Sequence, residues 1–248
     1  MTPPADPLVV IPARLASSRL PRKMLEEVGG EAQVVHVWRC AAEARIGRVA
    51  VACDDTEIRD VVVAAGGEAV MTDPQLPSGT DRVAAAADIL DAGERHDAVI
   101  NLQGDMRDVG ADALRAVLSP LAEDAFDIAT VATVMDPALS HDANSVKAVL
   151  ALPPGARVGR ALYFSRATVP AGDGPLYHHF GLYAFRRAAL RRFVALPPGE
   201  LERRERLEQL RALEAGMSIG VALIDRSLRE INTPADLARE RARLARHG

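Results

Sequence analysis

The apolar run LVVIPA, Leu8–Ala13, decides the first step of the fold, because it is short, rich in β-branched residues and followed by a polar loop. After that loop, the amphipathic pattern of Ala32–Arg45 predicts a helix. A strand, a loop and a helix in this order are typical of a βαβ unit. The segment therefore predicts the first strand of a mainly parallel sheet.

The same alternation continues through the first half of the chain. Further strands are predicted at Arg48–Ala52, Glu68–Met71 and Ala98–Leu102, and further helices at Glu57–Ala65, Asp81–Leu90 and Ala111–Leu121. This order indicates an α/β fold in which helices flank a mainly parallel central sheet.

The second half departs from this alternation. The apolar, threonine-rich runs Asp127–Val134 and Val146–Leu152 follow each other without a helix between them, so we expect antiparallel strands there. Pro153–Gly159 and Pro170–Pro175 are predicted to be loops. The other predicted elements are a strand at Tyr177–Phe185, helices at Ala188–Leu196 and Arg203–Ala215, a strand at Ile219–Ile224 and a closing helix from Pro234.

The composition bounds the class of protein. The 248 residues are 48% hydrophobic and 26% charged, which is typical of a globular chain with one main core. The formal net charge of -4 argues against nucleic acid as a partner. There is no leader-like N-terminal pattern and no apolar run near the roughly 18 residues of a membrane span, so we expect no membrane partner and a cytoplasmic protein. Both cysteines, Cys40 and Cys53, are predicted to be buried reduced thiols.

A cationic loop follows the first strand. The segment PARLASSRLPRK, Pro12–Lys23, brings Arg14, Arg19 and Lys23 together with two serines. Guanidinium and ammonium groups at a strand end match phosphate oxygens, so the loop is a candidate polyphosphate site. It lacks the GxxxxGK[ST] pattern, which disfavours a P-loop kinase or ATPase. A solvated basic loop is the alternative.

Two later motifs also adjoin predicted elements. Ser78–Arg82, SGTDR, is predicted to begin a helix that Ser78 can cap. Asn101–Asp105, NLQGD, places Gln103 and Asp105 at the end of a strand. A carboxylate there suits Mg²⁺ that arrives with a nucleotide, because magnesium commonly binds one or two carboxylates plus phosphate oxygens. An aspartate that only forms a turn is the alternative.

Taken together, these segments resemble the family of 3-deoxy-manno-octulosonate cytidylyltransferases, the CMP-Kdo synthetases. The resemblance covers nearly the whole chain, and its motifs occur in the family's order. The matching segments are PARLASSRLPRK, VACDD ending at Asp55, MTDPQLPSGTDR at Met71–Arg82, NLQGD, ALYFSRA at Ala161–Ala167, HHFGLYAFRR at His178–Arg187, RLEQLRALEAG at Arg206–Gly216 and NTPADL at Asn232–Leu237.

The resemblance implies a Rossmann-like nucleotidyltransferase fold with an antiparallel extension. It implies a single domain, residues 1–248, with a nucleotide-binding half at about 1–125, sugar-binding and dimerisation elements at about 126–230 and a C-terminal helix at 233–247. The implied activity joins CMP from CTP to the anomeric hydroxyl of 3-deoxy-D-manno-octulosonate (Kdo) and releases pyrophosphate, for lipopolysaccharide synthesis. A homodimer is also implied.

The resemblance also implies roles for single residues. Arg14, Arg19 and Lys23 would hold the CTP phosphates, and Ser78 and Arg82 would lie at the cytidine or ribose. Asp105 would bind Mg²⁺, with Asn232 at the position of a second ligand. The groups expected to be catalytic are Arg14, Lys23 and Asp105.

The sugar-acid site is implied in the same way. Its lining would be Gln103, Arg166, His179, Tyr183, Glu208 and Gln209. Arg166 would pair with the Kdo carboxylate. A satisfied core histidine is the alternative for His179, and helical spacing predicts that Leu207 and Leu210 are core residues.

Three departures from the family pattern surround the expected phosphate and metal site. Asn232 stands where the family has an aspartate in GVDTPEDL, and Arg22 replaces the glycine of LPGK. Arg107 adds positive charge close to the expected Mg²⁺, and Asp108 is a possible substitute ligand. Three functions stay open: a CMP-Kdo synthetase with altered metal affinity, a cytidylyltransferase for another sugar acid or small acidic acceptor, and a homologue that binds ligand without catalysis.

Overall fold

The computed structural model describes residues 2–17, 19–107 and 109–246. Within these ranges the chain divides into two compact units. The parallel unit comprises residues 6–114 and 228–246, and the antiparallel unit comprises residues 2–5 and 115–227, apart from the undescribed positions. The sequence predicted a single domain, and that prediction stays a prediction.

The parallel unit is built on four parallel strands. These are β1 (Pro7–Ala13), β2 (Arg48–Cys53), β3 (Glu68–Met71) and β4 (Ala98–Asn101), in the order β3-β2-β1-β4. Every residue of β1 is buried. A strand with parallel neighbours on both sides and both faces covered needs a continuous apolar run, which is what the LVVIPA segment supplies.

Helices follow the strands of this unit. They are α1 (Gln33–Glu43), α2 (Thr56–Ala64), α3 (Gly79–Leu90) and α4 (Ala111–Leu118), and the division between the units falls within α4. Asp55 caps α2 by accepting from Glu57 N at 2.8 Å, and Ser78 caps α3 by accepting from Asp81 N at 3.2 Å. Such caps satisfy backbone donors that a helix leaves unpaired, so Asp55 and Ser78 fix where α2 and α3 begin.

The antiparallel unit holds five strands. These are β5 (Ile128–Val134), β6 (Lys147–Ala151), β7 (Val158–Ser165), β8 (Tyr177–Phe185) and β9 (Ile219–Leu223). Their order is β8-β5-β9-β7-β6, and β6 pairs again with β8, so that the hydrogen bonding closes into a ring. The β5–β9 pair is parallel and the other pairs are antiparallel.

Four more helices complete the described chain. Three lie in the antiparallel unit, namely α5 (Arg187–Val194), α6 (Glu200–Glu205) and α7 (Leu210–Glu214), and α8 (Pro234–Leu244) lies in the parallel unit. Thr233 and Asp236 form a capping box at the start of α8. Among the described residues, no helix is long and apolar enough to cross a bilayer.

The predicted Rossmann-like α/β class with an antiparallel extension is confirmed, and two local predictions are wrong. The predicted loop Pro153–Gly159 overlaps β7, which starts at Val158. A Cβ at Gly159 would lie 2.7 Å from Ala151 O, so this glycine permits close pairing with β6 rather than marking a loop. The predicted helix Arg203–Ala215 is two helices, because Arg206 has a left-handed backbone with φ 55°.

The cysteine prediction holds only in part. Neither cysteine forms a disulfide with a described residue, and Cys53 is buried, which raises its pKa to about 12. Cys40 is partly exposed, so the prediction that both are buried is wrong for this residue. Leu207 and Leu210 are buried as predicted.

Candidate functional site

The loop after β1 is anchored at its start by β2. Leu15 N donates to Asp54 Oδ1 at 2.9 Å, directly after the end of β2. The loop borders an open groove of about 600 Å³, lined by Arg14, Leu15, Ala16, Ser17, Pro21 and Arg22. Arg14 is exposed on this groove, so its guanidinium is accessible to an anionic ligand. Ser18 lies outside the described residues.

Arg22 occupies a special backbone position in this loop. It has φ 54° and ψ 29° and precedes a short 3-10 helix, Lys23–Leu25. This left-handed region favours glycine, which is the residue that the related motif carries there. The Arg22 guanidinium forms an ion pair with Glu57 in α2. The departure at this position therefore keeps the turn of the loop.

Lys23 joins three parts of the parallel unit. Its Nζ lies 2.5 Å from Asp105 Oδ2 and donates to Asn232 Oδ1 at 3.2 Å. Arg19 Nη2 donates to the same Asn232 oxygen at 3.1 Å. The predicted phosphate ligands Arg19 and Lys23 are thus brought together with both predicted metal ligands, Asp105 and Asn232.

Glu230 is a functional candidate that sequence reasoning missed. Asn232 Nδ2 donates to Glu230 Oε2 at 2.9 Å. Burial, and next the negative charge of Asp105, raise the pKa of Glu230 to about 7. In an extended segment residues i and i+2 share a face. The position of Glu230, two residues before Asn232, could therefore have indicated it from the sequence.

Gly104 lets the end of β4 approach the cationic loop. A Cβ at this position would lie 2.8 Å from Met24 Sδ and 3.3 Å from Pro12 O. Gln33 Nε2 also donates to Gly104 O at 3.4 Å. The glycine of NLQGD therefore allows the close approach that places Asp105 beside Lys23.

Arg107 is directed into the core of the parallel unit. Its side chain is buried, donates to Gln33 Oε1 at 2.9 Å and to Val28 O at 3.3 Å, and lies 3.7 Å from Glu240. A partnered, buried guanidinium is a structural group, so the charge that Arg107 adds is balanced by Glu240 in α8. Asp108, predicted as a substitute ligand, lies outside the described residues.

The start of α3 holds two more predicted site residues. Ser78 Oγ donates to Asp81 Oδ2 at 2.6 Å and acts as the cap of the helix. Arg82 is buried, donates to Thr72 Oγ1 at 2.6 Å, and lies 3.9 Å from Asp54 Oδ2. Both side chains already serve the local fold, and their predicted contact with the nucleoside stays a prediction.

Gln103 lies between the strand end and α3. Its Nε2 donates to Asn101 Oδ1 at 2.9 Å, and Asn101 Nδ2 donates to Thr80 Oγ1 at 3.3 Å. A Cβ on Gly79 would come within 3.9 Å of Gln103 Oε1. This chain of amides fixes the orientation of Gln103 beside the α3 terminus.

In the antiparallel unit, Arg166 holds backbone carbonyls. Its guanidinium donates to Glu205 O at 2.8 Å, Ala143 O at 2.9 Å and Arg206 O at 3.3 Å. It thereby ties the end of α6, where the chain turns towards Glu208, to the loop before β6. The predicted pairing of Arg166 with a sugar carboxylate stays a prediction.

His179 is buried in the same unit and is neutral. Burial is the first cause that lowers its pKa, to about 3. Thr130 Oγ1 donates to Leu182 O at 2.8 Å, so its oxygen accepts from His179 Nε2 at 3.0 Å. The ring also packs edge-on against Phe164 and lies 5.6 Å from the ring of Tyr183. These contacts are those of a satisfied core histidine.

Glu208 and Gln209 lie between α6 and α7. Gln209 is buried, and among the described residues no acceptor lies within hydrogen-bond reach of its Nε2. A buried amide donor without an acceptor costs about 1–3 kcal/mol, so it marks a place where a polar ligand group would be stabilising. Glu208 is partly buried beside it.

The site offers few acidic groups. Among the described residues, no group of three histidine, cysteine, aspartate or glutamate side chains is arranged to hold a metal ion. The oxygen atoms around Lys23 that could act as metal ligands belong to Asp105, Glu230 and the amide of Asn232. A cation here would need the amide or ligand oxygens in addition to the two carboxylates.

The chain matches the cytidylyltransferase family over residues 8–219. It is similar to a 3-deoxy-manno-octulosonate cytidylyltransferase of Rhodospirillum centenum, with 57% identity over 242 residues that cover 97% of this chain and 94% of the relative. It is also similar to the enzyme of the same name from Methylobacterium radiotolerans, with 56% identity and 97% coverage of both chains.

Two solved structures are also similar. A CMP:2-keto-3-deoxy-manno-octonic acid synthetase in complex with CTP is 33% identical, with a TM-score of 0.87 over 98% of this chain and 100% of the other. A 4-diphosphocytidyl-2C-methyl-D-erythritol synthase from Anaerococcus prevotii is 13% identical, with a TM-score of 0.62 over 97% of this chain and 99% of the other, and shares the fold.

Proposed function

The chain belongs to the cytidylyltransferase family, among the 3-deoxy-manno-octulosonate cytidylyltransferases, and from this premise we propose that it transfers CMP from CTP to the anomeric hydroxyl of Kdo and releases pyrophosphate. The observation that carries the proposal is the contact of Lys23 with Asp105 at 2.5 Å, which joins the cationic loop to a carboxylate at the end of β4. A nucleoside triphosphate needs cationic side chains for its phosphates and a carboxylate for its metal ion, and both lie at this sheet edge.

The phosphates of CTP would bind at the loop after β1. Arg14 is exposed on the groove, and Arg19 and Lys23 converge on one oxygen of Asn232. Three cations on one loop would neutralise the charge that develops on the α-phosphate and on the departing pyrophosphate.

We propose Mg²⁺ as the metal of this site. Asp105 and Asn232 offer oxygen atoms of the hard type that Mg²⁺ prefers as ligands. The residues therefore fit the ion. Asp105 would hold it, with Asn232 Oδ1 as a neutral donor. When bound, Mg²⁺ supplies charge neutralisation at the phosphate oxygens.

The nucleoside would lie at the start of α3. Ser78 and Arg82 are held there by Asp81 and Thr72, so neither side chain has to be ordered when CTP binds. Pre-ordered groups give up little conformational entropy on binding. Gln103, whose amide nitrogen is held by Asn101, would contribute its carbonyl oxygen to the sugar acid.

The sugar acid would be recognised by Arg166, Tyr183, Glu208 and Gln209, with His179 supporting the ring of Tyr183. Gln209 supports this assignment most directly, because its Nε2 lacks an acceptor. His179 is neutral and bonded to Thr130, so we assign it a positioning role rather than proton transfer.

The reaction needs no covalent enzyme intermediate. The anomeric hydroxyl would attack the α-phosphate in line with the leaving pyrophosphate, and the protein would contribute orientation and charge stabilisation. Of the three departures from the family pattern, Arg22 keeps the loop turn and Arg107 is paired with Glu240. Asn232 is the departure that still bears on the chemistry.

The test is pyrophosphate release from CTP with Mg²⁺, measured with and without Kdo. We expect release only when both substrates and the metal are present. Release with a different sugar acid but not with Kdo would favour the other-acceptor alternative. Binding of CTP without release under any of these conditions would favour the non-catalytic alternative.

We also propose the cellular setting that the family implies. The product would feed lipopolysaccharide synthesis, and the protein would act in the cytoplasm as a homodimer. Leu162 in the antiparallel unit has 55% of its surface exposed, which makes it a candidate residue for the dimer interface. Light scattering coupled to size exclusion, with Leu162→Glu as the variant, tests the dimer.

A further inference from the structure

The Glu205 carboxylate lies against the end of β7, which Arg166 directly follows. It accepts from Ser165 Oγ at 2.7 Å and from Arg166 N at 3.0 Å, and Tyr163 Oη lies 3.5 Å from its Oε1. Both carboxylate oxygens are therefore in use, and they hold one strand end against α6, of which Glu205 is the last residue.

The contact between Glu205 and Arg166 is reciprocal. The Glu205 side chain accepts from Arg166 N, and Arg166 Nε donates to the backbone oxygen of Glu205 at 2.8 Å. One bond holds the backbone of the arginine and the other holds its side chain. Together they define the direction of Arg166 more closely than either bond alone.

The carbonyl of Arg166 is held from the other side by Lys147. The Lys147 side chain is fully buried, and its Nζ donates to Asp142 O at 2.7 Å and to Arg166 O at 3.2 Å. Lys147 belongs to β6, which pairs with β7 independently of Glu205. Loss of the Glu205 carboxylate should therefore loosen Arg166 without releasing the strand end.

The Arg166 guanidinium has neutral partners. Among the described residues, it donates to three carbonyl oxygens, those of Ala143, Glu205 and Arg206. A guanidinium has five N–H groups, so these bonds leave two, one on each Nη nitrogen. A carboxylate commonly engages two N–H groups of an arginine. Glu205 thus orders Arg166 through its backbone while leaving that pair of groups for a ligand.

We propose that Glu205 is the positioning residue of Arg166, and that it orders the arginine so that the two remaining N–H groups meet the carboxylate of the sugar acid. The inference rests on the proposed function, in which Arg166 pairs with Kdo. Because α6 ends at Glu205, the same contact ties Arg166 to the turn that leads to Gln209. An arginine ordered in advance loses less conformational entropy when the sugar acid binds.

The experiment is steady-state pyrophosphate release with Kdo and CTP varied in turn. For Glu205→Ala we expect the KM for Kdo to rise about tenfold, while kcat and the KM for CTP stay within about threefold of wild type, because only sugar-acid binding depends on Arg166. Glu205→Gln keeps an acceptor for Arg166 N and should recover most of the loss. Should Glu205→Ala not fold, Glu205→Asp, which withdraws the carboxylate by one methylene, replaces it with the same expectation.

The matched control is Glu200→Ala. Glu200 lies on the same helix, its side chain is 66% exposed, and it forms an ion pair with Arg203 at 3.2 Å. Its replacement removes an acid of the same type without touching Arg166. We expect its KM for Kdo to equal that of the wild type.

A double-mutant cycle with Arg166→Met separates positioning from general damage. Arg166→Met alone should raise the KM for Kdo about 30-fold or more, the effect of losing a charge-assisted pair. In that background Glu205→Ala should add less than about threefold, because no arginine is left to position. A tenfold rise in both backgrounds, or a wild-type KM in Glu205→Ala, would overturn the positioning role and leave the proposed function standing. A wild-type protein that released no pyrophosphate with Kdo would overturn both.

Discussion

Lys23 Nζ lies 2.5 Å from Asp105 Oδ2, and this contact ties the loop after β1 to the end of β4. Both side chains are largely buried, with 11% and 13% of their surfaces exposed. A charged pair in this setting is costly to break from one side only, because the remaining charge stays desolvated. The pair therefore fixes the position of the Lys23 ammonium beside Asp105, after the end of β4.

Replacing Lys23 by methionine should remove one of the cations that meet the phosphates. We expect pyrophosphate release to fall about 100-fold or more, the usual effect of losing one charge-stabilising donor. The matched control is Arg95→Met, since the Arg95 side chain is 80% exposed and lies 4.0 Å from Asp91. A Lys23→Met enzyme within threefold of the wild-type rate would contradict the role assigned to this loop.

Arg22 tests the backbone of the same loop. At φ 54° a glycine is free of strain, whereas a β-branched residue is strongly disfavoured. We expect Arg22→Gly to stay within about 1 kcal/mol of the wild-type free energy of unfolding, because relief of strain offsets greater chain entropy and the lost Glu57 pair. Arg22→Val should lose more than about 1 kcal/mol. Urea denaturation of the two variants checks this, and equal stabilities would be evidence against the left-handed turn.

His179 should make stability fall in mild acid. Its pKa is lowered to about 3 in the folded protein, against 6.5 for a histidine in the unfolded chain, so below pH 6.5 the unfolded chain binds a proton that the folded chain does not. This contribution is complete above pH 6.5 and is lost as pH falls towards 3. Between pH 7 and pH 5 the loss amounts to about 2 kcal/mol.

His179→Gln isolates that effect, because glutamine can still donate to Thr130 but does not titrate. Urea denaturation at pH 7 and pH 5 should show a smaller acid loss for the variant than for the wild type. If both proteins lost the same free energy over this range, the neutral buried histidine would not be the cause.

A substitution at Gln209 is expected to weaken Kdo binding without lowering the stability of the protein. Replacing it by leucine removes a buried donor without an acceptor, so we expect unchanged or slightly greater stability, within about 1 kcal/mol. The KM for Kdo should rise about tenfold while the KM for CTP stays near the wild-type value, since a lost hydrogen bond in a built site costs about 1.4 kcal/mol. Steady-state kinetics and thermal unfolding measure the two effects, and a rise in both KM values would point to general damage instead.

Much of the fold was predictable because buried strands appear in the sequence as short apolar runs. The predicted bounds of β3 agree with the structure, and those of β1 differ by one residue. The strand β7 was missed because Gly159 looks like a loop residue in sequence, although its role is close strand pairing. The break at Arg206 was missed because an arginine, unlike a glycine, does not indicate a left-handed backbone in the sequence.

The candidate site was predictable in part for a different reason. Lys23, Asp105 and Asn232 lie in motifs, and the structure brings them within hydrogen-bond distance. Glu230 lies in no motif, and its relation to Asp105 arises from a backbone bridge between distant segments. Arg107 was predicted to place positive charge near the metal. Its side chain instead contacts Gln33 and Glu240, which only the folded unit brings together.

The bridge between Met106 and Glu230 also bears on how the protein is made. Ribosomes deliver Asp105 early, and the whole of the antiparallel unit, residues 115–227, is synthesised before Glu230 and Asn232 follow. A nascent chain therefore carries its cationic loop for most of translation without the segment that accepts from Arg19 and Lys23. Docking of this segment closes a very long loop, so the contacts of Asn232 with Arg19 and Lys23 can form only after position 232 has been synthesised.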